Sequence, residues 1–278
     1  IQDNLTAFMF EPDEHACQAL EGSEYIERIF NVGLSSSERE SLFNLCRDPA
    51  VSSLLEPNGR LLSRFPNARR FDVVAKKKIN LSTLDKCLLD QRQRCDFIKL
   101  DTQGTELQIL KGGAELLKST VIGLEIEVEF LQVYRDQNLF GDICMHLAPI
   151  GYEFLDFINV YRWERQKFTD FGQTIFADAL FLRSPETFSK MLNGVSLEIA
   201  HDKSMKYVAI IALYDHIDLL PVCMDAFRPF IDTDDVETIA RLHRSMSRCR
   251  RRARASLNMM TRFMSRLFGI RIMPLQRS

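Results

Sequence analysis

The sequence predicts an α/β fold, a mostly parallel sheet with helices on both faces, followed by a helical extension. Three observations carry this. Short apolar runs alternate with helix-period segments from Leu5 to Arg183. Apolar residues make up 46 % of the 278 residues, enough for a packed core and too many for a disordered chain. After Pro185 the strand pattern stops, and residues 186–278 read mainly as helices. We therefore expect an α/β domain over residues 1–185 and a helical extension over 186–278.

The elements follow in order. Leu5 to Phe10 (LTAFMF) reads as a buried strand that stops at Glu11-Pro12-Asp13, because proline has no N–H to carry a ladder on. Asp13 can cap a helix over Glu14–Glu21. Tyr25–Val32, ending at Gly33, suggests a second strand, and Ser41–Cys46 a third. Asp48–Asn67 holds three prolines and a glycine and reads as a loop. Arg70–Ile79 returns to strand character, and Leu81, Leu84 and Leu88 share one helix face. Asp96–Leu100 (DFIKL) is a compact strand with a turn at Asp101–Gly104. In the helix after it, Leu107, Leu110, Ala114 and Leu117 are spaced 3, 4, 3. Val121–Phe130 is a further strand. Leu139, Phe140, Ile143 and Leu147 mark a helix ending before Gly151. Tyr152–Phe157 and Thr174–Arg183 close the domain as a strand pair.

Three features could carry chemistry. Glu11 follows an early strand, where a carboxylate can accept two hydrogen bonds from a ribose diol or can merely cap a helix. Asp101-Thr102-Gln103-Gly104 follows DFIKL, and ligands of open α/β sheets bind beyond the carboxyl ends of strands. A plain strand–turn–helix link explains the same spacing. Glu125, Glu127 and Glu129 alternate along one strand, so all three share a face, which is either a solvated edge or the wall of a cleft. Burying three bare carboxylates would be very costly, so at least one must meet water, a cation or a cleft. No nucleophile elbow, phosphate loop or zinc-type Cys/His cluster is present, and no metal is expected. The five histidines have no evident partner spacing.

Charge is unevenly spread. Residues 238–278 contain eleven arginines and no acid, which leaves 25 basic against 38 acidic residues for the rest. Ile239, Leu242, Met246, Cys249, Ala253, Leu257, Met260, Met264 and Leu267 recur at 3 or 4, so a long helix is expected from about 235 to 268, with Asp234 and Glu237 as a capping box. Such a basic amphipathic helix suits a membrane surface or an acidic partner. Sparse aromatics, only Phe263 and Phe268, argue against nucleic acid. The seven scattered cysteines suit a reducing, cytoplasmic setting. No signal peptide follows Ile1, and the run Tyr207–Tyr214 is too short to span a bilayer.

Taken in order, AFMFEPDEHACQAL, NVGLSS, VSSLLEPN, INLSTLD, DFIKLDTQGTELQILKGGAELL and GLEIEVEFLQVYRDQNLF resemble the FkbM family of methyltransferases, with GYEFLDF and FADALFLR completing residues 5–183. The resemblance implies a Rossmann-like class I sheet of seven strands with an antiparallel last strand, and S-adenosylmethionine as methyl donor. The acceptor it implies is a hydroxyl of a small molecule, sugar or lipid. It assigns Glu11, Gly33, Leu34, Asp101 and Gln103 to the cofactor and Asp101, Glu125 and Glu127 to catalysis, with Ser35 near the adenine and Ser52 and Ser53 in a covering loop. The family's first strand ends in a glycine-rich turn of the type DxGAxxG. None precedes Glu11 here, so the expected sheet lacks that strand, which would lie between the Glu11 and Asp101 strands. Two other readings share the pattern: a non-catalytic Rossmann-like scaffold acting through its basic helices, and a nicotinamide-dependent oxidoreductase, which would use the same ribose-binding acid.

Overall fold

The computed structural model describes residues 6–14, 17–18, 26–91, 93, 95–119, 121–166 and 172–252. They form an α/β unit, Ala7–Leu182, and a helical unit from Arg183 onward.

The α/β unit holds nine strands in three sheets among the described residues. β1 (Ala7–Phe10) pairs in parallel with β2 (Ile26–Phe30). β3 (Gly33–Leu34), β4 (Arg39–Cys46) and β5 (Val73–Ser82) lie in the order β3-β5-β4. β6 (Phe97–Leu100), β7 (Gly123–Glu129), β8 (Tyr152–Trp163) and β9 (Gln173–Arg183) lie in the order β6-β7-β9-β8. The expected single sheet is divided into three ladders, with β1 and β2 parallel in the first. β3 with β5 and β6 with β7 are parallel, whereas β4 with β5 and β7 with β9 are antiparallel. The reason lies in the connections. A parallel neighbour needs a full crossover, usually a helix of useful length. Between β4 and β5 the chain makes only α1 (Gly59–Leu62) and two 3-10 turns, Pro49–Val51 and Ala68–Phe71, and so returns antiparallel.

Two apolar cores fix the unit. Ile98, Leu100, Leu124, Ile126, Val128, Ala177, Ala179 and Phe181 form one face of the four-stranded sheet. Against it pack Leu84 and Leu88 of α2 (Leu84–Leu88), Leu107 and Leu110 of α3 (Glu106–Gly112), Leu116 and Leu117 of α4 (Ala114–Lys118), and Ile143 and Leu147 of α5 (Phe140–Leu147). Phe30 and Leu34 belong to the same core, so the three sheets share apolar packing without sharing a ladder. Each fully buried leucine, isoleucine, valine or phenylalanine among them contributes roughly 1.5–3 kcal/mol. The second core corrects the reading of Asp48–Asn67 as a plain loop. Its Val51, Leu61, Leu62 and Phe65 are buried with Phe71, Tyr134 and Ile175. The prolines interrupt regular structure there, but the leucines between them still find a core.

The helical unit comprises α6 (Pro185–Leu192), α7 (Leu197–Leu213), α8 (Leu220–Ala226) and α9 (Thr233–Arg252). Ser184 and Ser196 cap α6 and α7 with side-chain oxygens. Phe188, Tyr207 and Phe227 meet at its centre, with ring centroids 5.3–6.3 Å apart. The capping box of α9 is Asp232 with Asp235, not Asp234 with Glu237. Asp235 N–H donates to Asp232 Oδ1 (2.9 Å), and Asp232 N–H donates to Asp235 Oδ2 (3.1 Å). The helix starts earlier than its apolar period suggests, because the two aspartates satisfy its first donors. Asp235 Oδ2 also lies 2.8 Å from His201 Nε2 of α7, a pairing the histidine spacing did not reveal. The expected continuation of α9 from 253 to 268, and most of the expected helix over Glu14–Glu21, lie outside the described residues. Among the described residues no helix is long and apolar enough to cross a membrane. Cys17, Cys46, Cys87 and Cys223 are buried free thiols.

Gly112, in the last turn of α3, lies against the Ser35 carbonyl. A Cβ there would overlap that oxygen, a backbone atom that cannot rotate away. Gly112→Ala is expected to cost about 1–3 kcal/mol, a fall of roughly 3–10 °C in Tm by calorimetry. An unchanged Tm would show that α3 shifts freely against β3.

Candidate active site

The site is built on the turn that joins β6 to α3. Here Gln103 has φ 57° and Gly104 φ 101°, two consecutive left-handed residues. Glycine adopts this freely. A residue with a Cβ does so at a cost of about 1–2 kcal/mol, so Gln103 must be held. Its Nε2 donates to Asp101 Oδ1 (2.8 Å) and to Glu127 Oε1 (3.0 Å). Its Oε1 lies 3.1 Å from the Tyr134 hydroxyl, which also reaches Val51 O at 2.9 Å. Its carbonyl accepts from Ser53 Oγ (2.7 Å). Behind the turn, buried Glu106 accepts from Thr102 N (2.8 Å), Thr102 Oγ1 (2.9 Å) and Gly104 N (3.2 Å). These bonds satisfy donors of the turn that leads into α3, not of the helix itself.

β7 lies inside the sheet, between β6 and β9, and all seven of its residues are buried. A solvated edge is thereby excluded for Glu125, Glu127 and Glu129. Glu125 pairs with Lys99, its direct cross-strand partner on β6. Burial opposes the Lys99 ammonium, but Glu125 more than offsets this and holds Lys99 above its ordinary value. Glu127 sits opposite Asp178 of β9. Burial, then the nearby Asp101, Glu106 and Asp178 carboxylates, push Glu127 up to about 9. Burial, then Glu106 and Glu127, push Glu129 up to about 10. Burial also raises Asp178, partly offset by Asn159 Nδ2, which donates to its Oδ2 at 2.8 Å. The Tyr161 hydroxyl reaches the same oxygen at 3.3 Å and is pushed up to about 12 by burial and by Asp178. The Tyr161 ring stacks on Phe176 at 4.4 Å and 17°. A polar band thus crosses all four strands: Lys99, Glu125 and Glu127, Asp178, then Asn159 and Tyr161. Among the described residues no group of His, Cys, Asp and Glu is placed to hold a metal ion.

Of the residues singled out in the sequence, hydrogen bonds join Asp101, Gln103, Glu127 and Ser53 into one network, with Glu125 two residues along the same strand. Glu11, Gly33, Leu34 and Ser52 do not enter it. Glu11 follows β1, where its Oε1 accepts from Asp13 N (2.8 Å) and its own N–H donates to Phe30 O (3.0 Å). Gly33 and Leu34 form β3 and are paired with Leu81 and Ser82 of β5. Ser35 N–H continues the ladder by donating to Ser82 O (2.8 Å). Ser52 Oγ accepts from Cys46 N (3.0 Å). The separation follows from the sheets, since β1 and β3 share no ladder with β6. Sequence reasoning missed Lys99, Glu106, Tyr134, Asn159, Tyr161 and Asp178. Asp178 gave a signal, a lone acid inside the apolar strand FADALFLR. Tyr134 gave none.

The raised carboxyls set a sign for pH dependence. Glu127 and Glu129 keep their protons to about pH 9 and 10 when folded, against an ordinary value near 4.5. The stability they contribute is complete below about pH 4.5 and is lost as pH rises through about 9 to 10. We expect Tm to fall by several degrees between about pH 6 and about pH 9, and Glu129→Gln to flatten that decline. A variant that declines as steeply as the parent in thermal melts would refute this.

A family model described as the methyltransferase FkbM domain matches residues 3–154, from the segment leading into β1 to the first residues of β8. No curated protein and no solved structure matches the chain. Asn159, Tyr161, Asp178 and the helical unit lie beyond the matched span, whereas the β6 turn and all of β7 lie within it. The match covers more than half of the 278 residues, and the chain belongs to the FkbM methyltransferase domain family.

Proposed function

We propose that this chain transfers a methyl group from S-adenosylmethionine to a hydroxyl oxygen of a small molecule, sugar or lipid. The observation that carries the reading is the Asp101–Gln103–Glu127 network, at the carboxyl end of β6 and inside the matched segment. Ligands of open α/β sheets bind at that end.

The donor set fits a cationic cofactor. Burial, and after it repulsion from Asp101, Glu106 and Asp178, raises Glu127, and burial, with Glu125 and Asp101 adding to it, raises Asp178. A positive group held beside them would offset that repulsion. S-adenosylmethionine supplies a methyl already activated on a sulfonium, along with an ammonium charge. The residues that would hold it are Asp101 and Gln103 toward the methionine end, Glu11 at the ribose, and Gly33 and Leu34 at the adenine. This reading takes β2-β1 and β6-β7-β9-β8 as two parts of one Rossmann-like class I sheet.

The protein's own tasks are alignment, exclusion of water and proton removal. Asp101 is exposed at the strand end, and Gln103 Nε2 fixes its carboxylate. It is our first candidate for the base that accepts the acceptor hydroxyl's proton. Glu127, raised to about 9, is protonated at neutral pH in the cofactor-free state, which suits a hydrogen-bond donor. Glu125 is engaged with Lys99, and its role would be to orient that ammonium.

Two experiments test the proposal. Calorimetric titration with S-adenosylmethionine should release heat. Glu11→Ala should weaken binding about tenfold, the loss of a charged hydrogen bond worth roughly 1.5 kcal/mol. No heat at any concentration, with the fold intact, would favour the scaffold reading, in which β1 and β6 stay unconnected. Heat with NAD instead would favour an oxidoreductase. With any hydroxyl acceptor that supports turnover, Asp101→Asn should lower kcat roughly 10²–10⁴-fold. Unchanged turnover would remove Asp101 from the chemistry.

A further inference from the structure

The outer strands of the four-stranded sheet carry a set of side chains that lies beyond the matched segment. Asn159 and Tyr161 are two residues apart on β8, so they share a face, as do Phe176 and Asp178 on β9. Tyr161 joins the two pairs. Its ring stacks on Phe176 at 4.4 Å, and its hydroxyl reaches Asp178 Oδ2 at 3.3 Å. Asn159 Nδ2 donates to the same oxygen at 2.8 Å. Phe176 in turn packs against the second core, with Trp163 edge-on to it at 6.3 Å. The Tyr161 ring is thus fixed on one side, yet the residue stays 40 % exposed. A tyrosine that only covered an edge strand would turn its hydroxyl to water. This one turns it onto a buried carboxyl.

The ledge adjoins the candidate catalytic groups. Asp178 is the direct cross-strand neighbour of Glu127. Asp101 lies close enough to raise both Asp178 and Tyr161. The polar groups here are unbalanced. Both bonds to Asp178 fall on Oδ2, and Oδ1 receives none from the described residues. The nearby cation, Lys99, is engaged by Glu125. An occupant must therefore offer hydrogen to Asp178 Oδ1 and an apolar face to Tyr161. A hydroxyl does the first whether or not the carboxyl is ionised, since it both donates and accepts. An ammonium does so only with the ionised form. A phosphate or carboxylate would meet Asp101 and Asp178 as like charges. An alkyl chain would leave the Asp178 oxygen covered and unpartnered. A sugar ring meets both needs, because hydroxyls line its edge and its C–H groups form an apolar face that packs on an aromatic ring.

We propose, on the methyl-transfer reading, that Asp178, Asn159 and Tyr161 form the acceptor subsite and that the acceptor is an uncharged sugar ring. Tyr161 supports one face of the ring. Asp178 and Asn159 hold hydroxyls on its edge and so turn a neighbouring hydroxyl toward Asp101. The three are specificity residues for the acceptor.

Saturation-transfer NMR on the 278-residue chain tests this, with the methyl glycosides of glucose, mannose, galactose, xylose, fucose and rhamnose as probes. Phosphate esters of the same sugars, cyclohexylamine and octanol represent the competing ligand classes. A ring of about a dozen non-hydrogen atoms should bind in the millimolar range. At least one neutral glycoside should receive saturation on its C–H protons and shift the emission of Trp163, the chain's single tryptophan. Tyr161→Leu and Asp178→Asn should each weaken that binding about tenfold with the circular dichroism spectrum unchanged. Should Asp178→Asn misfold, Asn159→Ser carries the same test from a half-buried position. No signal from any glycoside, with or without S-adenosylhomocysteine, overturns the proposal. So does equal or stronger binding of the phosphate esters, the amine or octanol, and so does glycoside binding that the variants leave unchanged. The donor is tested separately by titration with S-adenosylmethionine. Heat there without a glycoside signal removes only the acceptor assignment, and the reverse result removes only the donor.

Discussion

The site depends on one residue held in a conformation it does not favour. Gln103 sits left-handed between a strand and a helix. Left alone, it would relax toward ordinary backbone angles and carry Asp101 with it. Contacts to Asp101, Glu127, Tyr134 and Ser53, from four different parts of the chain, prevent this. Strain over-determined by its surroundings is characteristic of positions where geometry matters more than stability. Here it ties β6, β7 and the segment that carries Ser53 together around one carboxylate.

The second constraint is electrostatic. A fully buried strand that carries three glutamates is a poor choice for stability alone. The protein tolerates it by unequal treatment of the three. One is neutralised by Lys99, one is bonded to Gln103 while keeping its proton, and one keeps its proton against Gln137. Such division of neighbouring carboxyls into different protonation states is a usual way for one pocket to hold donors and acceptors together. It is also why burial, not exposure, singles out this strand as the wall of the candidate site.

Much of the frame was legible in the sequence, and the reasons differ by element. DFIKL and the helix after it were readable because strand length, turn residues and a 3, 4, 3 spacing agree locally. The alternating glutamates announced a shared face but not which face, since a period of two is the same for a solvated edge and a buried centre. The antiparallel return of β4 and β5 was not readable, because pairing direction is decided by what the intervening chain cannot form. Leu61 and Leu62 were hidden by the prolines around them. Tyr134 and Asn159 reach the site from far along the chain, through contacts that no local pattern encodes. Glu11 was correctly placed at a strand end. Its distance from the β6 network is a matter of sheet connectivity, which a single strand does not disclose.

The division of the strands into three ladders has a further consequence. Among the described residues β6 pairs only with β7, and β1 only with β2. At the flank of any open ladder, main-chain amides and carbonyls meet water or an incoming strand. Such a flank is a template for self-association whenever nothing complementary occupies it. Self-association of this chain on concentration would then be a matter of strand pairing as well as of surface charge.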